Sequence, residues 1–254
     1  MPRIYSPQNL QTGQEVALDA AAARHVQVLR MQPGGALTLF NGQGGEFAAQ
    51  VIHMGRSEVR VQVGAHDSVE RELPCAVHIA LGVPANDRME WLVEKATELG
   101  VASIQPLMVE RSVLRIAGER ADKKVAHWQA IAVAACEQSG RNRVPTVQPV
   151  QSLAQWLVLT HTLIPPEPAG AKTATAHYVL SLHPQARSLS HFQELSGGTH
   201  SLRLLSGPEG GLSAAEEQLA QDAGFAPLGL GPRILRSETA PLSVLSLVAL
   251  WPPL

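Results

Sequence analysis

Ser206-Gly207-Pro208-Glu209-Gly210-Gly211 and, further on, Leu230-Gly231-Pro232-Arg233-Ile234-Leu235-Arg236-Ser237-Glu238-Thr239-Ala240 are the stretches on which the reading of this chain turns. Each is a Gly/Pro-rich loop that follows a short apolar strand and precedes a helix. Glycine lets the main chain approach a ligand closely and take up φ > 0, while proline stiffens the turn. Bare amides and carbonyls are thereby left beside whatever binds. For the first loop alone, a tight strand-to-helix turn explains the residues as well as a ligand site does. The second loop tips the balance, because Arg233 and Arg236 flank the apolar Ile234-Leu235 and the acid Glu238 follows, which a plain turn does not need. Small ligands of α/β sheets sit at the carboxyl ends of strands, where both loops fall.

Working outward, residues 73–254 alternate strand and helix. The continuous apolar run 76–81 predicts a strand buried on both faces of a parallel sheet. Over 87–99, Met89, Leu92, Val93, Ala96 and Leu99 share a helical stripe, with Asp87 as expected N-cap and Gly100 as the stop. Residues 104–109 read as a strand whose Pro106 predicts an edge or a bulge. A long helix is expected over 123–139, and strands over 178–182, 202–206 and 227–230. Ser213-Ala214-Ala215-Glu216 has the form of a capping box opening a helix that stops at Gly224. An apolar last helix follows over 241–250. The proline-rich stretch 165–177 has no periodicity and predicts a flexible surface loop. Alternation of this kind argues for an α/β sheet with helices on both faces.

The first seventy residues read differently. Residues 36–40 and 46–54 form a hairpin across Asn41-Gly42 and Gly44-Gly45, 58–63 alternates with period two, and 19–31 is helical. A small β-barrel with one helix fits these pieces. Val69-Glu70-Arg71-Glu72-Leu73-Pro74 reads as a charged linker, which places the domain boundary between 72 and 73.

Composition sets limits. The 254 residues are 45% hydrophobic and carry a formal charge of −2. No stretch reaches the roughly 18 uninterrupted apolar residues of a membrane span, and the amino terminus lacks the apolar core of a signal peptide. Cys75 and Cys136 are expected as reduced, buried thiols of a cytoplasmic protein. The ten histidines show no metal-ligand spacing. Residues 1–72 hold six Lys/Arg against seven Asp/Glu, 73–164 nine against eight, and 165–254 five against seven. A nucleic-acid partner would therefore be held by local arginine clusters and not by bulk charge. Glu137-Gln138-Ser139-Gly140-Arg141-Asn142-Arg143 is one such cluster, equally readable as a polar helix end or as a phosphate contact. Neither a Gly-x-Gly-x-x-Gly nor a Gly-Lys-Ser/Thr phosphate loop is present.

Together, the two glycine loops, 137–145, Asp87-Arg88-Met89-Glu90-Trp91, Lys95-Ala96-Thr97-Glu98-Leu99-Gly100, Pro2-Arg3-Ile4-Tyr5, His25-Val26-Gln27-Val28-Leu29-Arg30-Met31 and Leu39-Phe40-Asn41-Gly42 resemble the RsmE family of the SPOUT superfamily. Its members are bacterial small-subunit ribosomal RNA uridine-N3 methyltransferases, and the likeness runs over nearly the whole chain. The resemblance implies a PUA-like RNA-binding β-barrel over 1–72. It implies a SPOUT methyltransferase α/β domain over 73–254 with a deep C-terminal trefoil knot. It also implies a cytoplasmic homodimer that uses S-adenosyl-L-methionine and no metal. The product would be m3U1498 of 16S ribosomal RNA, in the decoding region of the 30S subunit. Alternatives are a SPOUT enzyme for another nucleotide and a non-catalytic ribosome-assembly factor.

Carried over by position, cofactor contacts fall on Leu182, His183, Ser206, Gly207, Pro208, Glu209, Gly210 and Gly211. They continue at Leu230, Gly231, Arg233, Ile234, Leu235 and Thr239. Arg236 would stabilise the uracil anion, and Glu238 would orient Arg236 or take the proton. RNA contacts are expected at Arg3, Arg30, Arg88, Arg141 and Arg143. Ala85-Asn86 stands where the family commonly has Lys/Arg-Gly, which removes a positive charge there.

Overall fold

The computed structural model describes residues 1–56, 58–162, 175–188 and 201–250. The chain divides into two compact units, residues 1–72 with 133–144, and residues 73–132 with 145–254.

In the first unit, β1 (Arg3–Tyr5), β2 (Glu15–Ala17), β3 (Ala36–Phe40), β4 (Glu46–Met54) and β5 (Val59–Asp67) form one sheet in the order β1-β3-β4-β5-β2. β1 runs parallel to β3, and the other pairs are antiparallel. Period-two alternation sends Val59, Val61 and Val63 inward to join Leu37, Leu39 and Val51. The helix α1 (Ala20–Val28) adds Val26 to that core, and the side chain of Asp19 caps it, accepting from Ala21 N and Ala22 N, each at 2.9 Å.

The charged stretch expected to be a linker is instead tied down within this unit. The Arg71 guanidinium donates to Glu46 and to the Gly140 carbonyl, Glu70 Oε1 accepts from Gly45 N at 3.0 Å, and Glu72 pairs with Arg141. Charged residues spaced for solvation in the sequence are here spaced for partners from the start of β4 and from residues 133–144.

The second unit holds a parallel sheet. Its strands are β6 (Ala76–Gly82), β7 (Ser103–Met108), β8 (Thr146–Val147), β9 (Gln151–Ser152), β10 (Thr175–Leu180), β11 (Arg187–Ser188), β12 (Ser201–Ser206) and β13 (Ala226–Gly229). Their order is β11-β13-β10-β12-β6-β7-β8, with β9 also on β7, and every pairing is parallel. Both faces are covered. Val77, Ile79 and Leu81 pack on one face with Met89, Leu92 and Val93 of α2 (Asn86–Glu98), Trp128 of α3 (Gly118–Ser139), and Leu245 and Val248 of α6 (Thr239–Val248). Ala80, Val179 and Leu205 pack on the other face with Leu153 and Leu157 of α4 (Leu153–Thr162) and Ala220 of α5 (Ala214–Asp222). Each such fully buried side chain is worth about 1.5–3 kcal/mol relative to exposure. Ser213 and Glu216 complete the predicted capping box of α5.

Three expectations change. Asp87 lies in the first turn of α2, whose N-cap is Ala85 and has no side-chain cap of its own. Pro106 sits in an interior strand. It is tolerated because the neighbour on one flank is split, β8 pairing with 103–104 and β9 with 107–108, so neither pairs with Pro106. The expected loop 165–177 falls outside the described residues up to 174, and its last three residues open β10. Among the described residues no helix is long and apolar enough to cross a membrane.

Candidate functional site

Because β13, β10, β12 and β6 are adjacent and parallel, their carboxyl ends place four loops side by side. Loops 181–186, 207–213 and 230–238 enclose a cavity of about 310 Å³, in the range of small-molecule sites. Its walls are backbone and apolar side chains, chiefly Leu182, Leu230, Ile234 and Leu235, with Arg88, Glu209, Arg233 and Arg236 as the charged groups. The lining thus offers apolar contact, glycine-rich main chain and charges of both signs.

Each loop is held by identifiable bonds. Gly211 N donates to Pro208 O at 2.8 Å, and Gly211 takes φ +68, a left-handed conformation suited to glycine. A Cβ on Gly207 would stand 2.6 Å from the carbonyl carbon of Gly211, so only glycine lets the loop fold on itself. Arg111 braces the same loop from outside, donating to the Gly210 carbonyl at 2.9 Å. Glu209 Oε1 accepts from Ala85 N at 3.0 Å and lies 3.4 Å from Arg88 Nη1. In the β10 loop, Ser181 Oγ bonds the Glu217 carboxylate and accepts from His183 N at 3.0 Å. In the last loop, Thr239 N and Ala240 N both donate to Arg236 O, closing the first turn of α6.

Most residues expected at the cofactor are brought together here. Leu182, Ser206, Gly207, Pro208, Glu209 and Gly211 line the cavity from two loops, and Leu230, Arg233, Ile234 and Leu235 from the third. His183, Gly210 and Gly231 belong to the same loops, and Thr239 opens α6, without lining it. Arg236 is exposed and lines the cavity. Glu238 does not: it is 7% exposed, and its Oε2 accepts from Ser237 Oγ at 3.1 Å. Among the described residues Arg236 and Glu238 form no ion pair. Arg88, expected on RNA, stands at the cavity wall. Ser181, Leu212, Ser237 and Ala240 line it unforeseen. Ser181 had a usable signal, its place at a carboxyl strand end just before Leu182.

The remaining arginines separate into two kinds. Arg3 pairs with Glu46 at 2.6 Å, donates to Arg141 O and Asn142 Oδ1, and stacks on Phe40 with its guanidinium 4.9 Å from the ring centre. Arg141 is 3% exposed and holds Glu72 through Nε at 3.1 Å and through Nη2. Both are employed in folding the first unit and not at a surface open to RNA. Arg30 and Arg143 are exposed, Arg143 lying 3.3 Å from Glu70.

Other reactive groups are quiet. Burial pushes the Cys75 thiol up to about 11 and that of Cys136 up to about 12, so neither is a nucleophile near neutrality. Among the described residues no group of three or more His, Cys, Asp or Glu could hold a metal ion.

Comparison with known proteins agrees with this geometry. Residues 71–249 match the model of an RNA methyltransferase domain, and residues 18–64 that of an RNA methyltransferase PUA domain. The chain is 35% identical over 224 residues to ribosomal RNA small subunit methyltransferase E of Bacillus subtilis, covering 88% of this chain and 85% of the relative. It is 32% identical to the Synechocystis protein of that name, covering 91% and 71%. The crystal structure of the Neisseria gonorrhoeae protein of that name, bound to S-adenosyl methionine, superposes with a TM-score of 0.85 at 36% identity, covering 97% of this chain and 96% of the other.

Proposed function

Because the chain belongs to the ribosomal RNA small subunit methyltransferase E family of RNA methyltransferases, we propose that the cavity at the ends of β10, β12 and β13 holds S-adenosylmethionine and that the protein methylates N3 of a uridine in 16S ribosomal RNA. The observation that carries this is the lining itself. Three loops present backbone donors and acceptors for an adenine edge and ribose hydroxyls, apolar side chains for the ring faces, and both charge signs for an amino-acid zwitterion.

When bound, that cofactor supplies a methyl group on a sulfonium, which is its own leaving group. The chain's work is alignment and charge. Loops 207–213 and 230–235 hold the donor, and the apolar walls exclude water from the methyl group. The uracil N3 proton is weakly acidic and passes to solvent water, and its loss leaves a negative charge on the base that the methyl group then takes up. Arg236, facing the cavity, is the group we assign to that charge. Glu238, buried behind it, holds the turn through Ser237 and is given no proton.

The same reading makes the first unit a PUA-like barrel that contacts RNA through the exposed Arg30 and Arg143, with Arg88 near the target nucleotide. The last segment passes through a trefoil knot, and the enzyme acts as a cytoplasmic homodimer on the 30S subunit. Calorimetric titration of S-adenosylmethionine into the full chain and into Gly207→Ala tests the assignment. The wild-type chain should bind, and the variant should lose at least about ten-fold, since the new methyl group collides with its own loop. No heat from the wild-type chain would instead support a non-catalytic RNA-binding role.

A further inference from the structure

A second cleft, sharing no residue with the first, lies on the β-sheet of the second unit. Register places His177 of β10 opposite Arg203 of β12, Arg203 opposite His78 of β6, and His78 opposite Ser103 of β7. Laterally aligned residues of a parallel sheet share a face, so four neighbouring strands put one polar row across the sheet. The cleft over this row encloses about 280 Å³ and is lined in part by Arg203, His78, Ser103, Gln148, Gln151 and Thr160.

Its charge is unbalanced. Among the described residues no carboxylate lines the cleft, and the half-buried Arg203 guanidinium makes neither an ion pair nor a hydrogen bond. Burial, and then the charge of Arg203, hold His78 below its ordinary range and His177 at about 4, so both rings are neutral at pH 7. Among the described residues that line the cleft, one cation therefore stands beside neutral polar groups. Nδ1 of His78 is 2.7 Å from Ser103 Oγ, which leaves Nε2 as the ring's other polar atom. A half-buried guanidinium is costly without a counter-charge, and a fork of N–H donors matches an oxyanion.

We propose that this cleft is an anion site that takes a phosphate group, held by Arg203 with help from the amides of Gln148 and Gln151 and the Thr160 hydroxyl. A tetrahedral oxyanion uses one cation and several neutral donors at once, which is the set gathered here. The phosphate can belong to a nucleic-acid backbone or to a free phosphorylated small molecule.

Equilibrium dialysis of labelled inorganic phosphate against the full chain reads this directly. Saturable binding is expected, weaker by about ten-fold or more in Arg203→Met. It should be unchanged in Arg236→Ala, because the first cavity also carries arginines. Should Arg203→Met fail to fold, Gln148→Ala takes its place, with a several-fold loss expected. Absence of saturable binding, wild-type binding in the cleft variant, or loss in Arg236→Ala instead would each overturn the proposal. A short single-stranded oligoribonucleotide, added as competitor, then separates the sources. Displacement of phosphate assigns the site to a nucleic-acid backbone, and persistence assigns it to a small phosphorylated ligand; either result upholds the site.

Discussion

Glu209 caps a helix that begins more than a hundred residues before it: its Oε1 accepts from the backbone nitrogen of Ala85 at 3.0 Å, at the start of α2, where Ala85 has no side chain able to cap. The bond ties the glycine loop after β12 to the loop after β6, so the cavity wall and the start of α2 are held together. Glu209→Ala should cost about 1 kcal/mol of stability and weaken cofactor binding as well. Glu209→Gln keeps an acceptor for Ala85 N and loses the pairing with Arg88, so its stability loss should be smaller. Urea unfolding and calorimetry on both variants check this, and equal stability loss in the two would count against the capping role.

Arg141 and Arg143 are two residues apart and should behave differently. Arg141 is buried against Glu72, so Arg141→Ala leaves a carboxylate without its partner and should cost about 3–5 kcal/mol. Arg143 is half exposed, and its pairing with Glu70 is worth less than about 1 kcal/mol. Urea midpoints for the two variants should separate accordingly. Only Arg143→Ala is expected to flatten the salt dependence of RNA binding.

Glu46 gives the first unit an acid limit. Burial pushes its pKa up, but hydrogen bonds from Arg71 and Arg3 outweigh burial and hold the carboxyl below its ordinary value. A depressed pKa in the folded state means stability that is present above the unfolded pKa and lost as pH falls through the folded one. Stability measured downward from pH 6 should therefore drop more steeply in the wild-type chain than in Glu46→Gln, which has no such group to protonate. Parallel curves would remove Glu46 from the acid response.

Arg236→Ala should separate binding from chemistry. With the methyl donor held largely by backbone, as proposed, its dissociation constant is expected to change little. Turnover on small subunits should fall by about 100-fold or more if the guanidinium stabilises the uracil anion. Glu238→Gln, at a buried residue that does not line the cavity, should lose far less.

The sequence was readable wherever the determining partner is close by in the chain. Ser213 caps from within one turn, as its capping box predicts, and Asp19, not named as a cap in the sequence, does the same. Two of the three loops that build the cavity, 207–213 and 230–238, carry their own glycine and proline signals, whereas 181–186 has no glycine and leads into a strand. Asp87 failed as a cap because the true one, Glu209, comes from a distant loop. Arg3 and Arg141 have the same composition signal as an RNA contact, and only the fold of residues 133–144 against β1 shows that they are turned inward onto Glu46, Asn142 and Glu72. The row His177–Arg203–His78–Ser103 depends on three strand registers, none of which any single stretch encodes. Pro106 was legible as a ladder breaker, but not that its neighbour would be split in two.

Mapping of the methylated nucleotide tests the central claim most directly. Unmodified small subunits are incubated with the protein and labelled S-adenosylmethionine, and the RNA is digested to nucleosides and located by primer extension. The account predicts a single labelled product, 3-methyluridine, at one site of 16S RNA, lost with Arg236→Ala. Label on a ribose, on another base or at another uridine atom would contradict it.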